Sequence, residues 1–534
     1  MKAFAAGLVA LVALGAASPV FAYDPTEKSI SEIEADLAAG KVTSVELVRA
    51  YEARIAALNP KLRAVIAVNP DALSAAAAAD AARASGKAGG ALAGVPILIK
   101  DNIESADPVP TTAGSLALKD NVTGRDAPMV TRLRAAGAII LGKTNLSEWA
   151  NIRSNRSVSG WSGVGGLVRN PYALDRSACG SSSGSGAAAA ASLAAAAIGT
   201  ETDGSVTCPS AINGLVGMKP TVGLVSRTHI VPISHTQDTA GPMTRSVADA
   251  AILLSAMAGS DPTDPATAEA DAHRMDYTKA LDPKALKGVR IGVLRFAAGF
   301  NPETEAVFDK ALDTLRAAGA ILVDVPEPAG RSEMGLAERE VLMTELKADL
   351  NAYLASTSPQ KVPSRTLADL IAFDKAHAEA EMSLFGQENF LAAEATKGLD
   401  DPDYIKAKAL AHRLAGPDGI DAMLAGAKVA ALVAPTTGPS WLIDPVLRDR
   451  PSGGGAGSYA AVAGYPHLTV PMGEVEGLPV GLSFIGPAWS EAQLFSLGYA
   501  YEQASHARVP PSYRASAQPD DPKPWLDSGV LPNP

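Results

Sequence analysis

Residues 179–208 read CGSSSGSGAAAAASLAAAAIGTETDGSVTC. By composition the Ser/Gly start of this stretch belongs in a flexible linker. Its surroundings argue otherwise, because an Ala-rich run follows at once, a second Gly-Ser turn closes the segment, and the only two cysteines of the chain stand at its ends. Alanine combines the strongest helix propensity with a small side chain. Residues 187–197 are therefore expected to form a helix packed closely on a sheet, its positive N-terminal end beside the Ser/Gly loop.

Working outward, GVPILIKDNI (94–103) is a short apolar, β-prone run ending in Lys100 and Asp101, a candidate buried strand. Upstream, residues 29–58 carry apolar residues at helical spacing, and Gly40 with Thr43/Ser44 predicts a stop and restart between two helices. LRAAGAIILGKTN from Leu133 and LRAAGAILVDVPE from Leu315 both read as helix, glycine cap, strand. Recurring units of this kind predict an α/β layer architecture. Residues 330–430 are helix-rich, and strand signals return in VAALVAPTT and YPHLTVPMGEVEGLPVGLSFIG. Strands on both sides of the helical stretch favour one large domain with an insertion at about 330–430 over a boundary near 260. An irregular Pro-rich tail begins at about 509.

The chain has 534 residues, 47% of them hydrophobic, so it can bury a large core. Its net charge of −11 is spread without acidic or basic blocks, which excludes nucleic acid and anionic membrane surfaces as evident partners. MKAFAAGLVALVALGAASPVFA (1–22) has a lysine, an apolar run to about Ala17 and a small-residue cleavage site before Tyr23. It predicts a signal peptide and export to the periplasm, since the run is shorter than the roughly 20 residues of a membrane span. In an oxidising compartment Cys179 and Cys208 are open to two readings, one disulfide or two buried thiols.

None of the seven histidines forms a pair with metal-ligand spacing. Gly180-Ser181-Ser182-Ser183-Gly184 matches a G-x-S-x-G elbow, but any Ser/Gly run does so. His235 is the histidine such an elbow would need, and it reads as an ordinary loop residue. Lys100 suits a different chemistry: at the end of an apolar strand, desolvation lowers an amine's pKa and leaves it available as a base.

GVPILIKDNI, residues 179–208 and INGLVGMKPTVGLVSR together resemble the amidase signature family, and the likeness continues through DTAGPMTRSVADA to AGYPHLTVPMGEVEGLPVGLSFIGP. Within the family the chain is most similar to the peptide amidase branch, through LGKTNLSEWAN, NPYALDRS and GPDGIDAML. The resemblance implies an amidase domain over residues 23–534: a mixed β-sheet core with helices on both faces and a helical insertion. It implies hydrolysis of primary carboxamides, in particular the C-terminal amide of peptides, without cofactor or metal. It implies a triad of Lys100, Ser181 and the nucleophile Ser205, with a cis peptide before Ser181 and an oxyanion hole from the backbone of Thr202, Asp203, Gly204 and Ser205. The family interval between the two serines selects Ser181 from its run. The widespread form has Gly-Gly-Ser where this chain has Asp203-Gly204-Ser205, a departure shared with the peptide amidase branch. Alternatives are a broader amidase or esterase of the same family and an inactive periplasmic binding protein. The tRNA amidotransferase component that shares the signature is disfavoured by the signal peptide and the lack of a basic surface.

Overall fold

A computed structural model describes residues 23–517, apart from 88 and 300. The leader expected at 1–22 lies outside the described residues, as does the tail beyond 517. Among the described residues eleven strands form one sheet. In chain order they are β1 (Val65–Val68), β2 (Pro96–Lys100), β3 (Ile139–Thr144), β4 (Ala196–Glu201), β5 (Val216–Lys219), β6 (Thr239–Thr244), β7 (Arg290–Val293), β8 (Ile321–Asp324), β9 (Ala431–Pro435), β10 (His467–Val475) and β11 (Leu478–Ile485). Across the sheet they lie in the order β1-β3-β2-β4-β6-β5-β10-β11-β9-β7-β8. β2 is parallel to β3 and β4, and β7 is parallel to β8 and β9, while the strands between are antiparallel. The sheet is therefore mixed.

Every residue of β2 and β4 is buried, as continuous apolar strands covered by helices on both faces must be. The first two helices stop and restart where the sequence predicts, Ile30–Ala38 ending before Gly40. Thr43 caps Ser44–Leu62 in a reciprocal box with Glu46, satisfying two end groups at once. Pro128–Ala135 and Pro302–Ala317 lead into β3 and β8 through Gly137 and Gly319, whose φ values of 96° and 97° suit glycine.

The Ala-rich run departs from expectation. Its helix is Ser183–Ala190, which starts inside the Ser/Gly run, and residues 196–201 are strand β4 rather than helix. The helix propensity of alanine is overridden because residues 196–198 pair with Ile97, Leu98 and Ile99 of β2. The Ser/Gly run is not a linker, since residues 181–198 are all buried. Its glycines allow close approach: a Cβ on Gly184 would stand 2.3 Å from the carbonyl oxygens of Ala64 and Asn145.

The insertion is helical as expected, with its longest helix at Arg331–Ser356. Leu346, Leu350, Leu370 and Phe390 from the insertion share a core with Leu118, Trp149 and Val231 from the body. That shared core, and a sheet running unbroken from β1 to β8, make one domain with no boundary near 260. The described part of the tail is tied down, for Tyr513 N donates to Pro171 O at 2.8 Å. No helix among the described residues is long and apolar enough to cross a membrane.

Candidate active site

Because β2 and β4 are parallel neighbours, their C-terminal ends lie side by side, where open α/β sheets place their ligands. Lys100 ends β2, Glu201 ends β4, and the turn Thr202–Ser205 follows directly. The Ser/Gly run is sewn to the same point. Ser182 Oγ donates to Thr200 O and accepts from Thr200 N, and Ser182 N donates to Ser205 O. Ser182, the serine of the G-x-S-x-G match, is thus a fully buried structural group.

Lys100 is fully buried, and its Nζ lies 2.7 Å from Ser181 Oγ, 2.8 Å from Thr200 Oγ1 and 3.2 Å from Thr200 O. Burial pushes its pKa down to about 7, against the opposing pull of Asp238 and Glu201. A neutral amine has two N–H donors and one lone pair. Thr200 O can accept one N–H and Thr200 Oγ1 the other, which leaves the lone pair for the Ser181 hydroxyl. Thr200 Oγ1 is itself fixed by Asn102 Nδ2 at 3.0 Å. Thr200 and Asn102 escaped the sequence reading because no local pattern says that two strand ends meet.

The Gly180–Ser181 bond is cis, as the family resemblance implies. Ser181 O accepts from Ser147 N at 3.0 Å. Ser205 follows Gly204, which takes φ +80° with open space where a Cβ would stand, so backbone conformation rather than crowding calls for glycine there. Glu201 Oε2 accepts the N–H groups of Val206 and Thr207 at 2.7 and 2.9 Å. The N–H groups of Asp203, Gly204 and Ser205 donate to no protein acceptor among the described residues. Asp203 is held by Ser458 Oγ at 2.8 Å, and burial raises its pKa to about 6. Gln237 Nε2 bridges Thr202 O and Glu338 Oε1, and Thr202 Oγ1 donates to Asp238.

Cys179 and Cys208 form a disulfide. Of the two readings left open by the sequence, the bridge is the one adopted. It ties the loop of Ser181 to the helix after Ser205, packed against Ile212 and Trp441.

His235 does more than the sequence suggests. Its Nδ1 lies 3.0 Å from Asp349 and its Nε2 3.3 Å from Glu345, both on the Arg331–Ser356 helix, and the Asp349 hydrogen bond raises its pKa. These three side chains have ligand atoms within 4.8 Å of one another. The imidazole already lies between both carboxylates, the Asp349 hydrogen bond favouring its protonated form, and Tyr404 Oη and Thr236 Oγ1 add donors to Glu345. The group therefore locks the 233–238 loop to the insertion. His235 lines two cavities, one of about 370 Å³ reaching Asn102, Thr200 and Thr202 and one of about 740 Å³ reaching Gln237, Tyr465 and Trp489.

The Amidase family model matches residues 46–495, most of the chain. The chain belongs to the amidase family. This amidase is 38% identical over 523 residues to a probable amidase of Arabidopsis thaliana, covering 95% of this chain and 96% of that one. It is 34% identical over 498 residues to a glutamyl-tRNA(Gln) amidotransferase chain of Pseudomonas syringae, covering 91% of this chain and all of the relative. Among solved structures it is similar to the native peptide amidase from Stenotrophomonas maltophilia, with a TM-score of 0.87 and 54% identity over 91% of this chain and 99% of that one. The same family and neighbours make it an amidohydrolase, with the mixed sheet and flanking helices of the amidase signature fold.

Proposed function

We propose that this amidase hydrolyses the C-terminal carboxamide of peptides to carboxylate and ammonia, with Ser205 as nucleophile, Ser181 as proton relay and Lys100 as base. The observation that carries the reading is the buried Lys100 amine, 2.7 Å from Ser181 Oγ with its N–H donors directed to Thr200. In the first step Ser205 Oγ bonds to the amide carbon, its proton passes to Ser181 Oγ, and the Ser181 proton passes to Lys100. The carbonyl oxygen becomes an oxyanion, which the free N–H groups of Asp203, Gly204 and Ser205 are suited to receive, with that of Thr202 beside them. Losing one such donor costs about 3 kcal/mol in other hydrolases. Protonated Lys100 then returns its proton through Ser181 to the amide nitrogen, the C–N bond breaks, and ammonia leaves. Water attacks the Ser205 ester by the same relay, releasing the acid and restoring both hydroxyls.

The choice of peptide amides draws on the 54% identity to a peptide amidase, also known in complex with the competitive inhibitor chymostatin. We also propose export to the periplasm, on the strength of the leader sequence alone. Ammonia release from a peptide amide and from free aliphatic amides and esters, by wild type and by Ser205→Ala, tests the function. Turnover of the peptide amide lost in Ser205→Ala supports it. A pure wild-type enzyme inactive on every peptide amide, or an active Ser205→Ala, sinks it.

A further inference from the structure

The N–H groups of Asp203, Gly204 and Ser205 have no protein acceptor among the described residues, so what aims each of them is the other half of its peptide. The peptides of this turn are trans, and in a planar trans peptide the C=O and N–H point in opposite directions. A donor that fixes the carbonyl therefore fixes the amide behind it. Gly204 O accepts from Cys208 N at 2.8 Å, a main-chain bond that sets the direction of the Ser205 N–H. The Asp203 N–H shares its peptide with Thr202 O, and among the described residues that oxygen is held by a side chain, Gln237 Nε2 at 3.3 Å. The same amide nitrogen donates to Glu338 Oε1 at 3.0 Å. Because Thr202 O can only accept, the nitrogen of Gln237 must face it. Gln237 is 2% exposed, which leaves its amide little room to turn. Glu338 stands on the Arg331–Ser356 helix, where burial, helped by the Asp203 charge, raises its pKa. A neutral carboxyl still presents an acceptor oxygen to Gln237.

We propose that Gln237, braced by Glu338, is a positioning residue for the hydrolysis: it turns the Thr202–Asp203 peptide so that the Asp203 N–H faces the developing oxyanion. The inference rests on the reading of Ser205 as nucleophile. Gln237 makes no bond to Lys100, Ser181 or Ser205, so its effect falls on the oxyanion and leaves the proton relay alone. A donor already aimed stabilises the new charge without reorganising, whereas one that must first turn gives part of that stabilisation back. Through this one contact the helical insertion takes part in catalysis.

The test compares wild type with Gln237→Met, which keeps the length of the side chain and removes both N–H donors. Glu338→Gln keeps the acceptor oxygen, and Glu338→Leu removes it. For each enzyme kcat and KM are measured on one peptide amide, with inhibition constants for the peptide aldehyde and the peptide alcohol of the same sequence. Ser205 Oγ bonds to the aldehyde carbon, its proton passes through Ser181 to Lys100, and the π pair of the C=O becomes an oxyanion in the hole. The alcohol has no carbonyl and reports substrate contacts alone. In Gln237→Met kcat should fall about ten- to hundredfold, short of the hundred- to thousandfold for a donor removed outright, with KM within about twofold. The aldehyde should weaken by the same factor and the alcohol should not. Glu338→Gln should stay near wild type, and Glu338→Leu should fall in the same sense as Gln237→Met. A Gln237→Met enzyme with wild-type kcat overturns the proposal, as does a fall without weaker aldehyde binding or one shared by the alcohol. If Gln237→Met does not fold, the Glu338 pair decides, and equal kcat in Glu338→Gln and Glu338→Leu overturns it. An active Ser205→Ala would show separately that the underlying reading has failed, and the inference with it.

Discussion

Activity should rise with pH through about 7, because only neutral Lys100 can accept a proton. Burial lowers its pKa from 10.5 to about 7, with Asp238 and Glu201 opposing the drop. At about 1.4 kcal/mol per pH unit, the drop amounts to roughly 5 kcal/mol against the ammonium form. Below pH 7 the amine holds its proton and has no lone pair for Ser181. Each further unit removes about tenfold of the active form, leaving about 1% at pH 5. A lysine titrating near its ordinary value would instead keep only a few parts in ten thousand neutral at pH 7. Asp238→Asn removes a charge that favours the ammonium, so the acid limb should move to lower pH in that variant. The assay is kcat/KM for ammonia release from a peptide amide without titrating side chains, from pH 4.5 to 9.5 at constant ionic strength. A profile flat from pH 5 to 9, an inflection near 10, or an acid limb moved upward in Asp238→Asn would refute the reasoning.

Three further outcomes follow from the same structure. Gly184→Ala places a Cβ 2.3 Å from two backbone carbonyl oxygens, so it should cost about 3 kcal/mol or more and lower the melting temperature markedly in calorimetry. Arg153 is fully buried among Glu148, Asp374 and Glu381, whose main-chain carbonyl it also binds. Arg153→Met should cost about 3–5 kcal/mol. Burial holds Glu148 well above the usual carboxylate range and Asp374 at about 7, so the stability these carboxyls lend is full below their unfolded pKa of about 4 and falls as pH rises through about 7 and they ionise, a fall that the Arg153 charge limits. The Arg153→Met loss in urea unfolding should accordingly be larger at pH 8 than at pH 5. Cys208→Ser opens the loop closed between residues 29 apart, and should cost roughly 3 kcal/mol of stability by denaturant titration under oxidising conditions.

The chain's own order carried the strands, the capped helices and the helical insertion, because each depends on neighbours a few residues apart. Thr43 with Glu46, Gly137 before β3 and the apolar run into Lys100 are local statements, readable before any fold is known. Ser181 was singled out from its run only by the interval that the amidase-signature resemblance implies, and its place 2.7 Å from Lys100 Nζ came with the structure. Three things were settled only in three dimensions. The Ala-rich run splits into helix Ser183–Ala190 and strand β4, because pairing with β2 outweighs alanine's preference. Thr200 becomes the partner of Lys100, with Asn102 holding Thr200 Oγ1, only because β2 and β4 are parallel neighbours, a contact across 100 residues of chain. The cysteines, ambiguous as letters, form a disulfide because the loop before Ser181 and the helix after Ser205 meet at one end of those strands. Local sequence encodes what each segment prefers. Which preference prevails, and which side chains meet, depends on the desolvation and pairing that distant segments impose when the sheet closes around them.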